Sequence, residues 1–428
     1  MSRPAPGTPS RGKEDAMSAF EVSDDVYERL ADALDALPAG FTRTPSKSEI
    51  RLMQLVFTPE EAAVASQMTR TPETAAEIAK RVGLPEAEVT VLLESMIPRA
   101  MVRAGGPALE AAAQLVPAAR KAGAEAAPSL KPEAERAKEY RLNPFLIGWY
   151  EAFLKQDHPT SKEFSEVYER YVIEGGGERV IAPRPGSLGV IPMRGSLKPE
   201  WLEREPHNDI DAHFQRHERF LVIDCVCKKQ KAHAHGHSCD MPLKRCGFVG
   251  MPPSTPLSEN VLTREEAMKL WAEFDAMGTM VVQGAYGFTL GAKEPQFVGG
   301  CHCCGCCCAL LNASRLDPNL KETAQRSNYR AVKDYEKCHA CGECVRRCQV
   351  LAHTFDQATD DKPVYHPEKC IGCGACGMGC PSGALHLEPV SEEEWFHVPS
   401  SFLEWEEKRL EFLAAEKARI GMAAPSGQ

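Results

Sequence analysis

All 18 cysteines of this 428-residue chain lie between Cys225 and Cys380, and the first 224 residues carry no thiol. Whatever chemistry the chain performs is therefore expected in its C-terminal half. The start, MSRPAPGTPSRGKEDAM, has no apolar core that would act as a secretory signal. No stretch approaches the roughly 18 uncharged apolar residues of a spanning helix. A cytoplasmic location without membrane insertion is expected. A chain kept reduced there uses dense cysteines to bind metal more often than to form disulfides. With 43% hydrophobic and 26% charged residues, the composition is that of a soluble globular chain long enough for two or three domains. Fifty Lys and Arg against 60 Asp and Glu give a net charge of −10, which provides no general attraction to nucleic acid.

The expected class is α+β and multidomain, with a winged-helix-like N-terminal segment, an irregular cysteine-rich middle and a C-terminal cysteine-repeat unit. A disordered tail is expected over 1–22 and a helical domain over 23–103. Thr58-Pro59-Glu60-Glu61 reads as a capped helix start, with Pro at the first helical position and a reciprocal Glu. Thr71-Pro72 reads as a second cap, Gly83 as a helix stop, and Leu84-Pro85 as the opening of a third helix. Three short helices followed by the apolar pair Met101-Val102 resemble a winged helix-turn-helix. The third helix, however, carries Glu86, Glu88 and Glu94 with no Lys or Arg between Pro85 and Ile97, which argues against DNA contact. A linker is expected over 104–137 and a connecting region over 138–224, with loops over 174–200. A cysteine-rich metal or cluster module is expected over 225–329, the repeat unit over 330–388, and a C-terminal helix and tail over 389–428.

Cys338, Cys341, Cys344 and Cys348 have the spacing C-x2-C-x2-C-x3-C, and Cys370, Cys373, Cys376 and Cys380 repeat it 32 residues later. The flanks repeat as well: Glu336-Lys337 matches Glu368-Lys369, and Ala352 matches Ala384. Three thiolates at two-residue gaps can wrap one face of a cubane cluster, whose fourth iron needs a more distant ligand. On these residues, 330–388 resembles the bacterial dicluster ferredoxins, which carry single electrons between redox enzymes. The resemblance implies a dicluster ferredoxin-like fold and two [4Fe–4S] clusters with crossed fourth ligands. One would take Cys338, Cys341, Cys344 and Cys380, the other Cys370, Cys373, Cys376 and Cys348. Pro381 follows the last cysteine as in the family, whereas Gln349 stands where the matching proline would follow Cys348.

Ten cysteines remain. Cys225, Cys227, Cys239 and Cys246 form C-x-C-x11-C-x6-C, and Cys301, Cys303, Cys304, Cys306, Cys307 and Cys308 put six thiols in eight residues. So many thiolates would repel one another unless a metal took their charge. A further iron–sulfur cluster is expected here, with zinc as the alternative. Cys225, Cys227, Cys239 and Cys246 are expected as one ligand set, and the dense run either completes it or holds another centre. His233, His235 and His237 would share one side if extended, a metal-binding possibility set against a solvated loop. His302, between cysteines, is weighed likewise. The whole arrangement resembles a group of bacterial proteins described as ferredoxin-type iron–sulfur proteins. Cys303-Cys304-Gly305 is similar to the Cys-Cys-Gly element of heterodisulfide-reductase-like proteins, although the remaining spacing does not match.

No dinucleotide fingerprint or P-loop is present, so there is no nucleotide-cofactor signature. The expected function is an electron-transfer protein or redox-complex subunit that serves redox partner proteins. An oxidoreductase with a catalytic upstream cluster is one alternative, and an iron–sulfur transcription regulator another. No catalytic residue is singled out.

Overall fold

The computed structural model describes residues 25–104, 138–177, 185–186, 188–251, 253, 255–278, 281–285, 300–316, 326–355, 362–399 and 402–419. The tail expected over 1–22 and, apart from Ala104, the linker over 104–137 lie outside them.

The N-terminal part begins with α1 (Val26–Asp35), α2 (Ser48–Gln54) and α3 (Pro59–Ala65). The capping box predicted at Thr58 is present, with the hydroxyl accepting from the Glu61 amide and the carboxylate from the Thr58 amide. A two-residue strand β1 (Glu73–Thr74) then leads into α4 (Ala75–Val82). The cap of α4 is Thr74, boxed with Glu77, and not the expected Thr71. Glu73 and Thr74 are engaged in strand pairing, which places the helix start three residues later than Thr71-Pro72 suggested. Gly83 ends α4 in the left-handed region, and α5 (Glu86–Met96) follows. Strand β2 (Val102–Ala104) pairs antiparallel with β3 (Glu139–Leu142), which also pairs with β1, giving the sheet order β1-β3-β2.

One wide helical turn at Phe145–Trp149 continues into α6 (Tyr150–Lys155) and then α7 (Ser161–Tyr171). These residues belong to the same core as α1–α5. Trp149 is completely buried, its ring centroid 4.5 Å from Phe145, 5.8 Å from Phe41 and 5.6 Å from Phe57. The core reaches Val226, with Cys227, Ala309 and Leu310 packed on its edge, so the helical part forms a wall of the cysteine-rich module.

The middle is more regular than its sequence suggests. Strand β4 (Leu188–Ile191) lies within the stretch expected as loop. After α8 (Pro199–Arg204) and α9 (Ile210–Arg216) comes β5 (Arg219–Asp224), and α10 (Val226–His235) follows directly. Next are β6 (Lys244–Met251), β7 (Val261–Thr263) and α11 (Arg264–Met277), then β8 (Val281–Ala285), β9 (Gly300–Cys303) and α12 (Ala309–Leu316). They form two three-stranded antiparallel sheets, ordered β6-β5-β7 and β4-β8-β9. Two irregularities in the β5–β6 register hide the strand period of two from a reader of the sequence. Trp271, Phe214, Phe220, Phe248 and Phe274 fill the core beneath.

In the repeat unit, β10 (Tyr329–Lys333) opens the chain segment and α13 (Glu343–Arg347) follows the first cysteine loop. Strands β11 (His353–Thr354) and β12 (Val364–Tyr365) pair with each other. The second loop leads to α14 (Ala375–Met378) and β13 (Leu385–Pro389), which pairs with β10. The C-terminal helix α15 (Phe402–Arg419) packs on its own chain. Trp405 and Leu413 are buried, and the buried Arg409 guanidinium donates to the carbonyls of Pro38, Ala39 and Pro185. Among the described residues, no helix is long and apolar enough to cross a membrane.

Candidate metal centres

The eight repeat cysteines line two separate cavities. One is lined by Cys338, Cys341 and Cys344 from the first repeat and Cys380 from the second. The other is lined by Cys370, Cys373 and Cys376 together with Cys348. Each cavity thus draws three thiols from one repeat and the last from the other. Gly342 and Gly374, at φ 78° and 76°, turn the chain into α13 and α14, a backbone angle that disfavours side chains other than glycine. The Ala352 amide donates to Cys348 Sγ at 3.1 Å, a contact that favours a thiolate. The two cavities differ in exposure. Cys370 and Cys376 are buried in one, where burial also pushes the Cys373 thiol up to about 12, whereas in the other Cys344 is buried and Cys341 is exposed.

The ten upstream cysteines separate into a tetrad and a hexad, which differ from the expected grouping. Cys239 joins Cys304, Cys306 and Cys307, with the four Sγ atoms mutually within 4.8 Å. The separations are 3.7 Å from Cys239 to Cys304, 3.4 Å from Cys304 to Cys306, 3.8 Å from Cys306 to Cys307 and 3.5 Å from Cys307 to Cys239. The turn that follows β9 supplies three of these thiols. Helix α10 separates Cys239 from its sequence neighbours Cys225 and Cys227: they sit at its N-terminal end, while Gly236 in the left-handed region ends it and releases the chain toward Cys239. The buried Lys228 holds that return, its ammonium donating to the carbonyls of Cys239 and Met241.

The other six thiols, Cys225, Cys227, Cys308, Cys303, Cys301 and Cys246, follow one another through successive hydrogen-bonding contacts. The last pair is 2.9 Å apart, and the two ends of this open circuit, Cys225 and Cys246, are near enough for Cys246 to feel the charge of Cys225. Cys301 and Cys303 point the same way because they are two apart on a strand. Amides converge on the circuit: Ala309 donates to Cys227 at 3.4 Å, Gly247 to Cys301, and Leu310 and Leu311 to Cys308.

Charge is shared unevenly in both groups. Hydrogen bonds from Cys246 and Cys303 hold Cys301 well below the usual thiol range, and bonds from Cys227 and Cys303 do the same for Cys308. Cys227, Cys246 and Cys303, each hydrogen-bonded to a neighbour that carries the charge, are pushed well above it. In the tetrad, the Cys307 hydrogen bond and, against burial, Arg245 draw Cys304 down to about 4. Without a cation the six thiols of the hexad, or the four of the tetrad, cannot all ionise at neutral pH; a bound metal body would allow it. Arg245 carries no signal in the sequence. Its guanidinium is buried between the two groups, 3.1 Å from Cys304 Sγ and 3.8 Å from Cys225 Sγ.

The histidines are placed elsewhere. Helix α10 runs through His235, so the premise of an extended stretch fails and the alternating rings diverge. His233 faces Asp157 at 3.5 Å, His235 faces Glu169 at 3.0 Å, and His237 Nδ1 lies 3.0 Å from the carbonyl of His235. His302 points away from its flanking thiols into aromatic core, 4.4 Å from Trp271 and 4.7 Å from Phe274 by ring centroids. Burial, with Arg245 second, pushes its pKa down to about 3. Gln349, the departure from the repeat, has a partner: its side-chain oxygen accepts the Gly305 amide at 2.9 Å, tying the first repeat to the cysteine run.

Residues 337–384 match the family model described as a 4Fe-4S dicluster domain. No curated protein and no solved structure matches the chain. The chain is thus an iron–sulfur protein whose segment 337–384 is of the 4Fe–4S-binding type, joined to a second cysteine-rich module.

Proposed function

We propose that this chain is an electron-transfer protein or redox-complex subunit with two [4Fe–4S] clusters in the repeat unit and a single metal ion in the tetrad. The observation that carries the reading is the pair of cavities, each lined by three cysteines of one repeat and the fourth of the other. When bound, the clusters supply one-electron carriers. The chain's own residues shield one site more than the other: Cys370 and Cys376 are sequestered, while Cys341 is exposed and the exposed ring of Phe355 lies over its neighbour Gly342. That apolar rim is the face on which a redox partner protein would dock. Anaerobic redox titration of the full chain, followed by paramagnetic resonance, should reveal two one-electron centres. A chain with no reducible centre would overturn the reading.

The tetrad favours the zinc alternative over a further cubane. A tetrahedral Zn–S bond of about 2.3 Å gives sulfur separations of about 3.8 Å. The separations of 3.4 to 3.8 Å fit that spacing. A cubane holds its four thiolates farther apart, because each binds a different iron.

The helix–strand–helix–helix–strand–strand order over 59–142 supports a winged-helix reading of the N-terminal part. Its role is docking or internal packing, since α5 carries Glu86 and Glu88 in its first turn and Glu94 is paired with Lys138 and Tyr140. The full chain should bind duplex DNA no more tightly than the roughly micromolar or weaker affinity of non-specific contacts at physiological salt. Sequence-selective binding at nanomolar concentration would instead favour a regulator.

A further inference from the structure

We infer that Cys225, Cys227, Cys246, Cys301, Cys303 and Cys308 are the ligands of one polynuclear iron–sulfur cluster, separate from the tetrad's ion and from the two clusters of the repeat unit. Three observations lead there. First, the six thiols come from four places in the chain, the start of α10, strand β6, strand β9 and the start of α12, yet are neighbours in one open circuit in which Cys246 and Cys301 lie 2.9 Å apart. Convergence of four segments on sulfur alone, without a carboxylate or histidine, selects a thiophilic metal.

Second, the circuit is too open for a single ion. Among the described residues, the tetrad is the group whose ligand atoms lie mutually within 4.8 Å, and no three thiols of the hexad form a second such group. A tetrahedral ion, or two ions sharing bridging thiolates, would draw at least three sulfurs to that spacing. A cluster that spreads its thiolates over several irons would not.

Third, the surroundings favour an anionic cluster. Of the six buried or half-buried thiols, Cys225 lies 3.8 Å from the Arg245 guanidinium, Cys227 and Cys301 accept from the amides of Ala309 and Gly247, and Cys308 from those of Leu310 and Leu311. Amide donors of this kind are how proteins stabilise the sulfurs of such clusters. A four-iron cubane needs four thiolates, so the two additional ones point to a cluster of more than four irons or with bridging thiolates. The site also adjoins the buried cavity of the repeat unit: Cys303 and Cys308 pack with Ile371, and Cys301 and Cys373 border the same cluster of side chains.

The test is iron, acid-labile sulfide and zinc analysis of the full chain purified without oxygen. The two cubanes of the repeat unit account for about eight irons. The inference expects at least about twelve, together with one zinc. It also expects Cys303→Ser/Cys308→Ser in the full chain to lose four or more irons with their sulfide, while the paramagnetic signals of the repeat unit and the zinc remain. Should that variant fail to fold, the wild-type count still decides. About eight irons in the wild-type chain, two or more zinc ions in place of the additional iron, or a Cys246–Cys301 disulfide in the anaerobic protein would overturn it. A count of eight with both repeat-unit signals present leaves the proposed function standing. A count well below eight removes that reading as well, so the two failures are distinguishable.

Discussion

Replacing Cys348 with serine should remove about four irons from the full chain and abolish the paramagnetic signature of the centre at Cys370, Cys373 and Cys376. The centre at Cys338, Cys341 and Cys344 should survive. The effect crosses between repeats because Cys348 lines the cavity of the second repeat and Cys380 that of the first. Cys380→Ser is the reciprocal experiment and should spare the second-repeat centre. The two sites should also differ in how their loss is felt. Cys370 and Cys376 of the second-repeat set, against Cys344 alone of the first, belong to the core packed on Tyr329, Ala331, Leu385 and Leu387, so losing the second-repeat centre should lower the urea midpoint more than losing the other. If Cys348→Ser instead removes the signal of the first-repeat centre, the crossed assignment is wrong.

Arg245→Met should cost about 3–5 kcal/mol of stability in anaerobic urea unfolding of the metal-loaded chain, the range for removing one partner of a buried ion pair. Burial opposes the charge on this guanidinium, and the thiolates of Cys225 and Cys304 more than offset that, raising its pKa above the usual arginine value. Removing it leaves sulfur charge on both sides without its buried cation. Arg245→Lys should recover only part of the loss, because an ammonium is more strongly hydrated than a guanidinium and costs more to bury between Cys225 and Cys304. A cost for Arg245→Met within about 0.5 kcal/mol of zero, the range of ordinary surface substitutions, would show that the thiolates do not rely on this cation.

How much of this was legible in the sequence depended on whether local spacing carried the information. The eight repeat cysteines were legible as two groups of three because each loop brings three thiols together without help from distant chain, whereas the crossed fourth member of each set was implied only by the resemblance to dicluster ferredoxins. The upstream grouping was not. Cys225, Cys227 and Cys239 are near neighbours in sequence, yet the length of α10 carries Cys239 to a different site. Within the dense run, strand geometry separates Cys301 and Cys303 from the turn residues Cys304, Cys306 and Cys307. A strand assignment for 300–303 would have shown that His302 faces the other way. The start at Thr58 was legible because its capping box is local, whereas Thr74 became the cap of α4 through a strand partner 65 positions on, Glu139. Gln349 was visible as a departure from the repeat, but nothing in the sequence pointed to Gly305 as its partner.

That contact bears on how freely the C-terminal unit could be exchanged. A proline after the fourth cysteine of the first repeat would present no side-chain oxygen to the Gly305 amide, which lies inside the turn that carries the tetrad. The repeat unit here is therefore not an interchangeable cartridge. A ferredoxin segment grafted from another protein would supply its own clusters and still leave that turn without one of its anchors, so the two halves of the chain are fitted to each other at the level of a single carboxamide.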